Sequence, residues 1–152
     1  MHSAISYNAE NISFTLKNKK IISLWINKII ELSGNKTGEI AYIFCDDKYL
    51  YQLNKKYLNH DTFTDIITFD YTEKKIISGD IFISLDRVRE NADKYVKPFD
   101  NELLRVMSHG ILHLTGYTDH TPSERLDMTA AEDNALKLFE DLKTFHVKHN
   151  KC

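Results

Sequence analysis

The segment His109-Gly110-Ile111-Leu112-His113-Leu114-Thr115-Gly116-Tyr117-Thr118-Asp119-His120 holds two histidines four residues apart, in an apolar run that a glycine ends. Because four residues make about one helical turn, both imidazoles would project from the same face of a helix. Neutral imidazole is the commonest metal ligand in proteins, and catalytic zinc takes three protein donors and keeps a fourth position open. The segment therefore predicts a site for one Zn²⁺ or another divalent ion, held by His109, His113 and a third donor from the loop with Asp119 and His120.

Histidines in an apolar helix do not always bind a metal. A single histidine there is more often a core residue whose nitrogens are hydrogen-bonded. Two buried histidines without hydrogen-bond partners would each lower stability by about 1–3 kcal/mol, and a shared metal ion removes that cost. Zinc peptidases carry a glutamate directly after the first histidine as the general base, where this chain has Gly110. A small metallopeptidase is therefore the least favoured alternative.

The helix that carries the two histidines is predicted to be buried. Its residues are apolar on nearly every side, which is typical of a buried rather than an amphipathic helix. Asp100 is its predicted cap and Gly116 its predicted end. A capping box with proline at the first helical position, residues 121–124, starts the last helix. The predicted core face of that helix is Ala131, Ala135, Leu138, Leu142 and Phe145.

Upstream of this helix, apolar periodicity predicts strands at residues 12–16, 39–45, 64–71 and 80–84. It predicts helices at residues 20–33, from Asp46 or Asp47 onward, and at residues 85–96. The predicted apolar faces of the second and third helices are Leu50, Leu53 and Tyr57, and Val88, Ala92 and Tyr95. The order of elements predicts an α+β fold: a single mixed β-sheet of about four strands with helices packed on it and the metal-binding helix buried centrally. The length suits one domain over residues 1–152.

Composition narrows the class of protein. The formal net charge is −2 and 42% of the residues are hydrophobic, so no global basic field indicates nucleic acid or a membrane surface. No stretch approaches about 18 consecutive apolar residues, and the first residues do not resemble a signal peptide. The two cysteines, Cys45 and Cys152, do not suggest a disulfide framework. We therefore expect a soluble cytoplasmic protein with no membrane partner.

The histidine segment resembles the hallmark of the YbeY family of endoribonucleases and rRNA maturation factors, a His-Gly-x-Leu-His-Leu-x-Gly-Tyr run followed by Asp-His. Residues 109–117 match it completely, and Arg105-Val106, residues 79–84, Leu53-Asn54 with Tyr57, and residues 64–69 resemble the family's other signatures. The resemblance implies a cytoplasmic metal-dependent endoribonuclease acting on single-stranded RNA, with zinc held by three histidines. It also implies roles in maturing the 3′ end of small-subunit rRNA and in ribosome quality control, with rRNA and the ribosomal small subunit as partners.

The first departure from the family pattern concerns the third ligand. The family spaces it six residues after the second histidine, which is Asp119 here because Thr118 looks like an insertion before Asp-His. Asp119 would bind in ungapped register, whereas a one-residue bulge would bring in His120. Carboxylate oxygen and imidazole nitrogen reach zinc at similar distances. We favour Asp119, because the length of the loop after a helix sets its reach, and His120 would then lie outside the ligand set.

The second departure is Leu58, where the family commonly has an arginine that is implicated in activity. Arginine clamps phosphate through its bidentate fork, which leucine cannot form. The nearest cationic candidates are Lys55, Lys56 and His60, which are also typical of a solvated helix end. The lost arginine motivates an alternative function, a ribosome-assembly binding factor with a mainly structural metal and little nuclease activity.

The sequence assigns no catalytic base and no RNA-binding residue. Asp65 and Asp80 lie in strands of two family signatures. Either could orient water for metal-assisted phosphodiester hydrolysis or could serve the structure alone.

Overall fold

The computed structural model describes residues 4–150, with the side chains of residues 4–146. Its strands are β1 (Ala4–Glu10), β2 (Lys36–Cys45), β3 (Ile66–Asp70) and β4 (Ile76–Ser84). Its helices are α1 (Lys19–Leu32), α2 (Asp47–Leu58), α3 (Leu85–Lys94), α4 (Phe99–Leu114) and α5 (Pro122–Asn150). The chain order β1-α1-β2-α2-β3-β4-α3-α4-α5 confirms the predicted sequence of elements and the α+β class. Cys152 lies outside the described residues.

The four strands form one mixed sheet in the order β1-β2-β4-β3. β1 pairs parallel with β2, and β2 pairs parallel with β4. β3 lies antiparallel to β4 at one edge of the sheet. The edge position of β3 leaves its start free to line a cleft beside α4.

The first strand was predicted in the wrong place. Residues 12–16 form a connection without strand pairing, and the strand is Ala4–Glu10 instead. The alternation at residues 12–16 has a different cause, because Ile12 and Phe14 pack partly buried against the core and Leu16 is buried in it. An alternating pattern records which side chains are buried, and a loop over a core can produce the same pattern as a strand.

The sheet carries a large core on one face and a small core on the other. Successive side chains of a strand point to opposite faces, so that Ile40, Tyr42 and Phe44 of β2 enter the large core with α1, α4 and α5. Cys45 and Ile67 face the other way and form the small core with Leu50 of α2.

α4 is largely buried. Nine of its sixteen residues are buried, and the helix packs on α1, α3, α5, β3 and β4. The prediction that Asp100 caps it was wrong. Pro98 occupies the N-cap position in an extended conformation, and Asp100 lies in the first turn of the helix. There its charge, with that of Glu102, suits the positive end of the helix dipole. Gly116, at φ +120°, follows the helix as a glycine C-terminal stop.

Three predicted core positions are exposed in the structure. Tyr57 packs edge-on against Phe69 at the surface, and Tyr95 lies just beyond the end of α3. Phe145 is exposed because α5 spans 29 residues and its last turns extend past the core. Other predicted core residues of these three helices are buried (Leu50, Val88, Ala92 and Ala135) or partly buried against a core (Leu53, Ala131, Leu138 and Leu142).

Candidate functional site

An open cleft of about 420 Å³ lies where α4, the loop after it, α5 and the start of β3 meet. Both histidines of the motif, and both candidates for the third donor, line this cleft. The other lining residues come from β3 and its approach, from α4 and from α5: Thr64, Asp65, Ile66, Thr68, Glu102, Arg105, Val106 and Glu132. The predicted site residues are therefore brought to one place.

Gly110 explains why the histidine face of α4 looks into this cleft. A Cβ atom at Gly110 would stand 2.9 Å from Cγ2 of Ile81 and 3.1 Å from Cδ1 of Ile66, so that the helix backbone lies directly against the sheet at this point. His109 and His113 stand either side of that contact along the helix and face the cleft beyond the sheet edge. Position 110 therefore points at the sheet and has no room for the glutamate of a zinc peptidase.

His109 contacts a carboxylate at each ring nitrogen. Nδ1 lies 2.7 Å from Oε2 of Glu132, and Nε2 lies 3.4 Å from Oδ2 of Asp119. The second oxygen of Glu132 accepts a hydrogen bond of 2.8 Å from Nη1 of Arg105, which also pairs with Asp133. His109 is thus held between α5 and the loop that follows its own helix.

Glu132 is a site residue that the sequence prediction missed. Only 8% of its surface is exposed, and it lies in the buried stripe Met128, Glu132, Ala135 and Phe139 of α5. A charged residue is almost never fully buried without a partner. The glutamate inside an apolar stripe was therefore the available signal, although nothing in the local pattern indicated that its partner would be His109.

Burial and the charges of the cleft together shift three pKa values. Burial alone would lower the pKa of His109, but the hydrogen bond to Glu132 and the negative charges of Glu132, Asp119 and Asp65 outweigh it and raise the pKa above the ordinary value. Burial raises the pKa of Asp65, and the neighbouring His109 only partly opposes this. Burial also raises the pKa of Glu102 against the opposing charge of Arg105.

Asp119 and His120 both reach the cleft, but they differ in their contacts. Two ligands of one tetrahedral zinc ion, each bound at about 2.0–2.1 Å, stand about 3.4 Å apart. The distance of 3.4 Å between Nε2 of His109 and Oδ2 of Asp119 matches that separation. His120 is exposed, and its backbone N–H donates to Oε1 of Glu124 at the start of α5. This geometry favours Asp119 as the third donor.

His113 supplies a second observation that bears on a metal. Its Nδ1 is buried and has no hydrogen-bond partner within the part of the chain that the structure describes. An unsatisfied buried nitrogen is costly, so the ring is suited to a further partner. Across the same described residues, however, no three His, Cys, Asp or Glu side chains are arranged to hold a metal ion. The donor types and the His109–Asp119 separation fit zinc, but the described side chains do not form a complete cage.

Leu58, the cationic candidates near it (Lys55, Lys56 and His60) and Asp80 lie outside the cleft lining. Leu58 ends α2 with 41% of its surface exposed, and Lys55 and Lys56 lie in the same last turn. Asp80 on β4 accepts a hydrogen bond from Tyr71 and does not line the cleft, whereas Asp65 does.

Sequence comparison identifies the family. The family model described as Endoribonuclease YbeY matches residues 4–140. The chain belongs to the endoribonuclease YbeY family. An Endoribonuclease YbeY from Flavobacterium psychrophilum is 51% identical over 147 residues, which cover 96% of this chain and 99% of the relative. Another YbeY relative, from Phocaeicola vulgatus, is 52% identical over 134 residues, covering 88% of this chain and 97% of the relative.

A solved structure shares the fold of the chain. The solution structure of a Thermotoga maritima protein superimposes with a TM-score of 0.64 at 22% identity and covers 97% of this chain and 96% of that protein. This likeness concerns the fold alone. Among the described residues, no helix is both long and apolar enough to cross a membrane.

Proposed function

We propose that this chain is a metal-dependent endoribonuclease that cleaves single-stranded RNA, acting in the cytoplasm on the 3′ end of small-subunit rRNA and in ribosome quality control. Membership of the YbeY family supports the nuclease activity. The observation that carries the proposal is one open cleft lined by His109, His113 and Asp119, with Nε2 of His109 and Oδ2 of Asp119 at a ligand-to-ligand separation. The partners proposed are single-stranded rRNA and the ribosomal small subunit.

The proposed ligands of a single Zn²⁺ are His109, His113 and Asp119, with His120 as the alternative third ligand. When bound, zinc would supply Lewis-acid polarisation of a phosphoryl oxygen and a lowered pKa of water. The open cleft suits a flexible strand held mainly through its backbone, with little sequence preference.

Asp65 is proposed as the group that orients water or exchanges a proton in this cleft. It lines the cleft from the residue before β3, opposite the histidine face of α4. Burial raises the pKa of its carboxyl group, so that the group accepts a proton more readily than an exposed aspartate does. Its Oδ2 has one side-chain partner described, a hydrogen bond of 3.4 Å from Asn91.

The binding-factor alternative has one observation in its favour. Arg105 is the only lysine or arginine among the described residues that line the cleft, and two carboxylates already hold its guanidinium. Leu58, at the position of the family arginine, cannot supply a phosphate clamp. A cleft without a free phosphate clamp would still bind RNA but would cleave it slowly. This alternative predicts that metal removal lowers the melting temperature and abolishes ribosome association, with no RNA cleavage detected in any metal.

The discriminating experiment compares metal-stripped and zinc-reconstituted protein on a single-stranded fragment of the small-subunit rRNA 3′ end and on the same fragment annealed to its complement. We expect cleavage of the single strand that needs metal and is lost in His113→Ala. His146→Ala is the matched control, since it removes a histidine about 20 Å further along α5 than the cleft residue Glu132. Equal cleavage by the wild type and His113→Ala would refute the proposal.

A further inference from the structure

We propose that Glu132 is a positioning residue that sets the tautomer of His109, keeping Nδ1 protonated and presenting an unprotonated Nε2 to the cleft. The inference deepens the proposed function and rests on it, because an imidazole binds a metal only through an unprotonated nitrogen. It concerns the metal-free chain, so it can be tested before any metal is added.

The geometry leaves Glu132 one role toward His109. The carboxylate of Glu132, on α5, contacts two side chains of α4, with Oε2 at 2.7 Å from Nδ1 of His109 and Oε1 at 2.8 Å from Nη1 of Arg105. An ionised carboxylate only accepts hydrogen bonds, and Oε2 of Glu132 lies closer to Nδ1 (2.7 Å) than Oδ2 of Asp119 lies to Nε2 (3.4 Å), so the single proton of the neutral ring stays on Nδ1. In the neutral ring the other nitrogen, Nε2, then carries the lone pair. Nε2 is the nitrogen on the side of Asp119, at 3.4 Å from Oδ2.

Arg105 determines which atom of the side chain at position 132 faces His109. A guanidinium has donors and no acceptor, so the contact between Arg105 and residue 132 needs an oxygen on residue 132. With glutamate, the second oxygen remains for Nδ1 of His109. In Glu132→Gln, Arg105 would take the single oxygen and turn the amide NH₂ toward His109. The NH₂ would donate to Nδ1, and the ring proton would move to Nε2, where it blocks a metal. A nearly isosteric change would therefore reverse the tautomer.

The direct test is ¹H–¹⁵N NMR of the histidine side chains in metal-free protein, at a pH well above the ordinary imidazole range. We expect His109 of the wild type to carry its proton on Nδ1, and Glu132→Gln to carry it on Nε2. Asp133→Asn is the matched control, since Asp133 also pairs with Arg105 but has no contact with His109 among the described residues. A wild-type His109 protonated on Nε2 would overturn the inference without reference to any variant.

Zinc titration against a chromophoric chelator gives the second readout, with circular dichroism confirming that each variant is folded. Loss of such an outer partner weakens metal binding by about 10- to 100-fold, and we expect that loss for Glu132→Gln and not for Asp133→Asn. Arg105→Met combined with Glu132→Gln should recover much of the affinity, because the amide can then turn its oxygen to Nδ1. Wild-type affinity in Glu132→Gln would contradict the inference. A wild type that binds no zinc would instead refute the proposed function, and the tautomer measurement would still decide the role of Glu132.

Discussion

At the scale of single residues, Asp65 has a proposed role in RNA cleavage and also carries a cost in folding stability. Burial raises the pKa of its carboxyl group in the folded chain above the ordinary value of an aspartate. Between those two pKa values the folded state binds more protons than the unfolded state, so the free energy of unfolding falls as the pH rises through that window. Asp65→Asn removes this loss, while its amide oxygen can still accept the hydrogen bond from Asn91.

We therefore expect Asp65→Asn to melt at a higher temperature than the wild type at neutral pH, with the difference disappearing below the ordinary pKa of aspartate. RNA cleavage should fall in the same variant, because the amide cannot exchange a proton as proposed for Asp65. A gain of stability with a loss of activity is typical of a functional residue. Melting curves across pH, alongside cleavage rates, check both parts. An Asp65→Asn variant with lower stability at neutral pH would contradict this account of the carboxylate.

Cys45 is predicted to be chemically inert in the folded protein. Burial, reinforced by the neighbouring acidic groups, raises the pKa of its thiol to about 12. The thiolate is the reactive form, so native protein should resist alkylation. In a Cys152→Ser background, we expect iodoacetamide at neutral pH to label Cys45 only after denaturant is added, as measured by intact mass. Rapid labelling of the native protein would show that β2 opens readily at its end.

The sequence predicted part of the site at this scale. His109 and His113 could be paired because a helical turn fixes their spacing locally. Glu132 could not be assigned to His109, because 23 residues separate them and only the packing of α5 on α4 joins them. The choice between Asp119 and His120 likewise depends on how the loop folds back, which local pattern does not encode.

At the scale of elements, Gly110 sets how closely α4 approaches the sheet. Alanine is favoured over glycine in a helix by about 1 kcal/mol. The added Cβ at Gly110 would, however, meet Cγ2 of Ile81 at 2.9 Å, and overpacking of a core costs about 1–3 kcal/mol. Overpacking should dominate because the β-branched Ile81 has little freedom to move. We expect Gly110→Ala to lower the free energy of unfolding by about 1 kcal/mol, as measured by urea denaturation.

Asn134→Ala, at an exposed position of α5, controls for helix propensity alone and should be neutral or slightly stabilising. If Gly110→Ala were stabilising to the same degree, α4 would not lie against β4 as described.

The start of α5 is a second element with a measurable role. Oγ1 of Thr121 accepts from the backbone N–H of Glu124, whose Oε1 accepts in return from the N–H groups of Thr121 and His120. Thr121→Ala should cost about 1 kcal/mol of stability and weaken zinc affinity, because the cap also anchors the loop that carries Asp119. Thr129→Ala, which removes an exposed hydroxyl inside α5, should leave zinc affinity unchanged and stability unchanged or slightly higher. Calorimetry and zinc titration measure the two effects, and equal results for both variants would contradict the role given to the cap.

Elements were predicted well where periodicity and end signals agreed. The capping box of α5 and the glycine after α4 correctly indicated where those helices start and end. β1 was missed although Ile5, Tyr7 and Ala9 alternate with exposed residues, because Ile12, Phe14 and Leu16 present a more strongly apolar alternation. Pairing with β2 determines that residues 4–10 form the strand, and this pairing joins residues that are far apart in the sequence.

At the scale of the whole molecule, the order of elements was enough to predict one mixed sheet with helices packed on it. Strand order was not predictable in this way, because β4 lies between β2 and β3. That order places β3 at the edge, and the edge brings Asp65 to the cleft beside α4. The cleft is therefore a product of the topology, although the histidine pair within it could be predicted from its spacing and the apolar run around it.

We propose that a metal held by His109, His113 and Asp119 makes this cleft a ribonuclease site. The most direct test of this proposal measures zinc stoichiometry and single-stranded RNA cleavage together in Asp119→Ala and His120→Ala. We predict that Asp119→Ala loses both stoichiometric zinc and cleavage, while His120→Ala retains both. Full zinc binding and full cleavage in Asp119→Ala, with both lost in His120→Ala, would contradict the ligand set. Cleavage that persists in both variants without zinc would contradict the account as a whole.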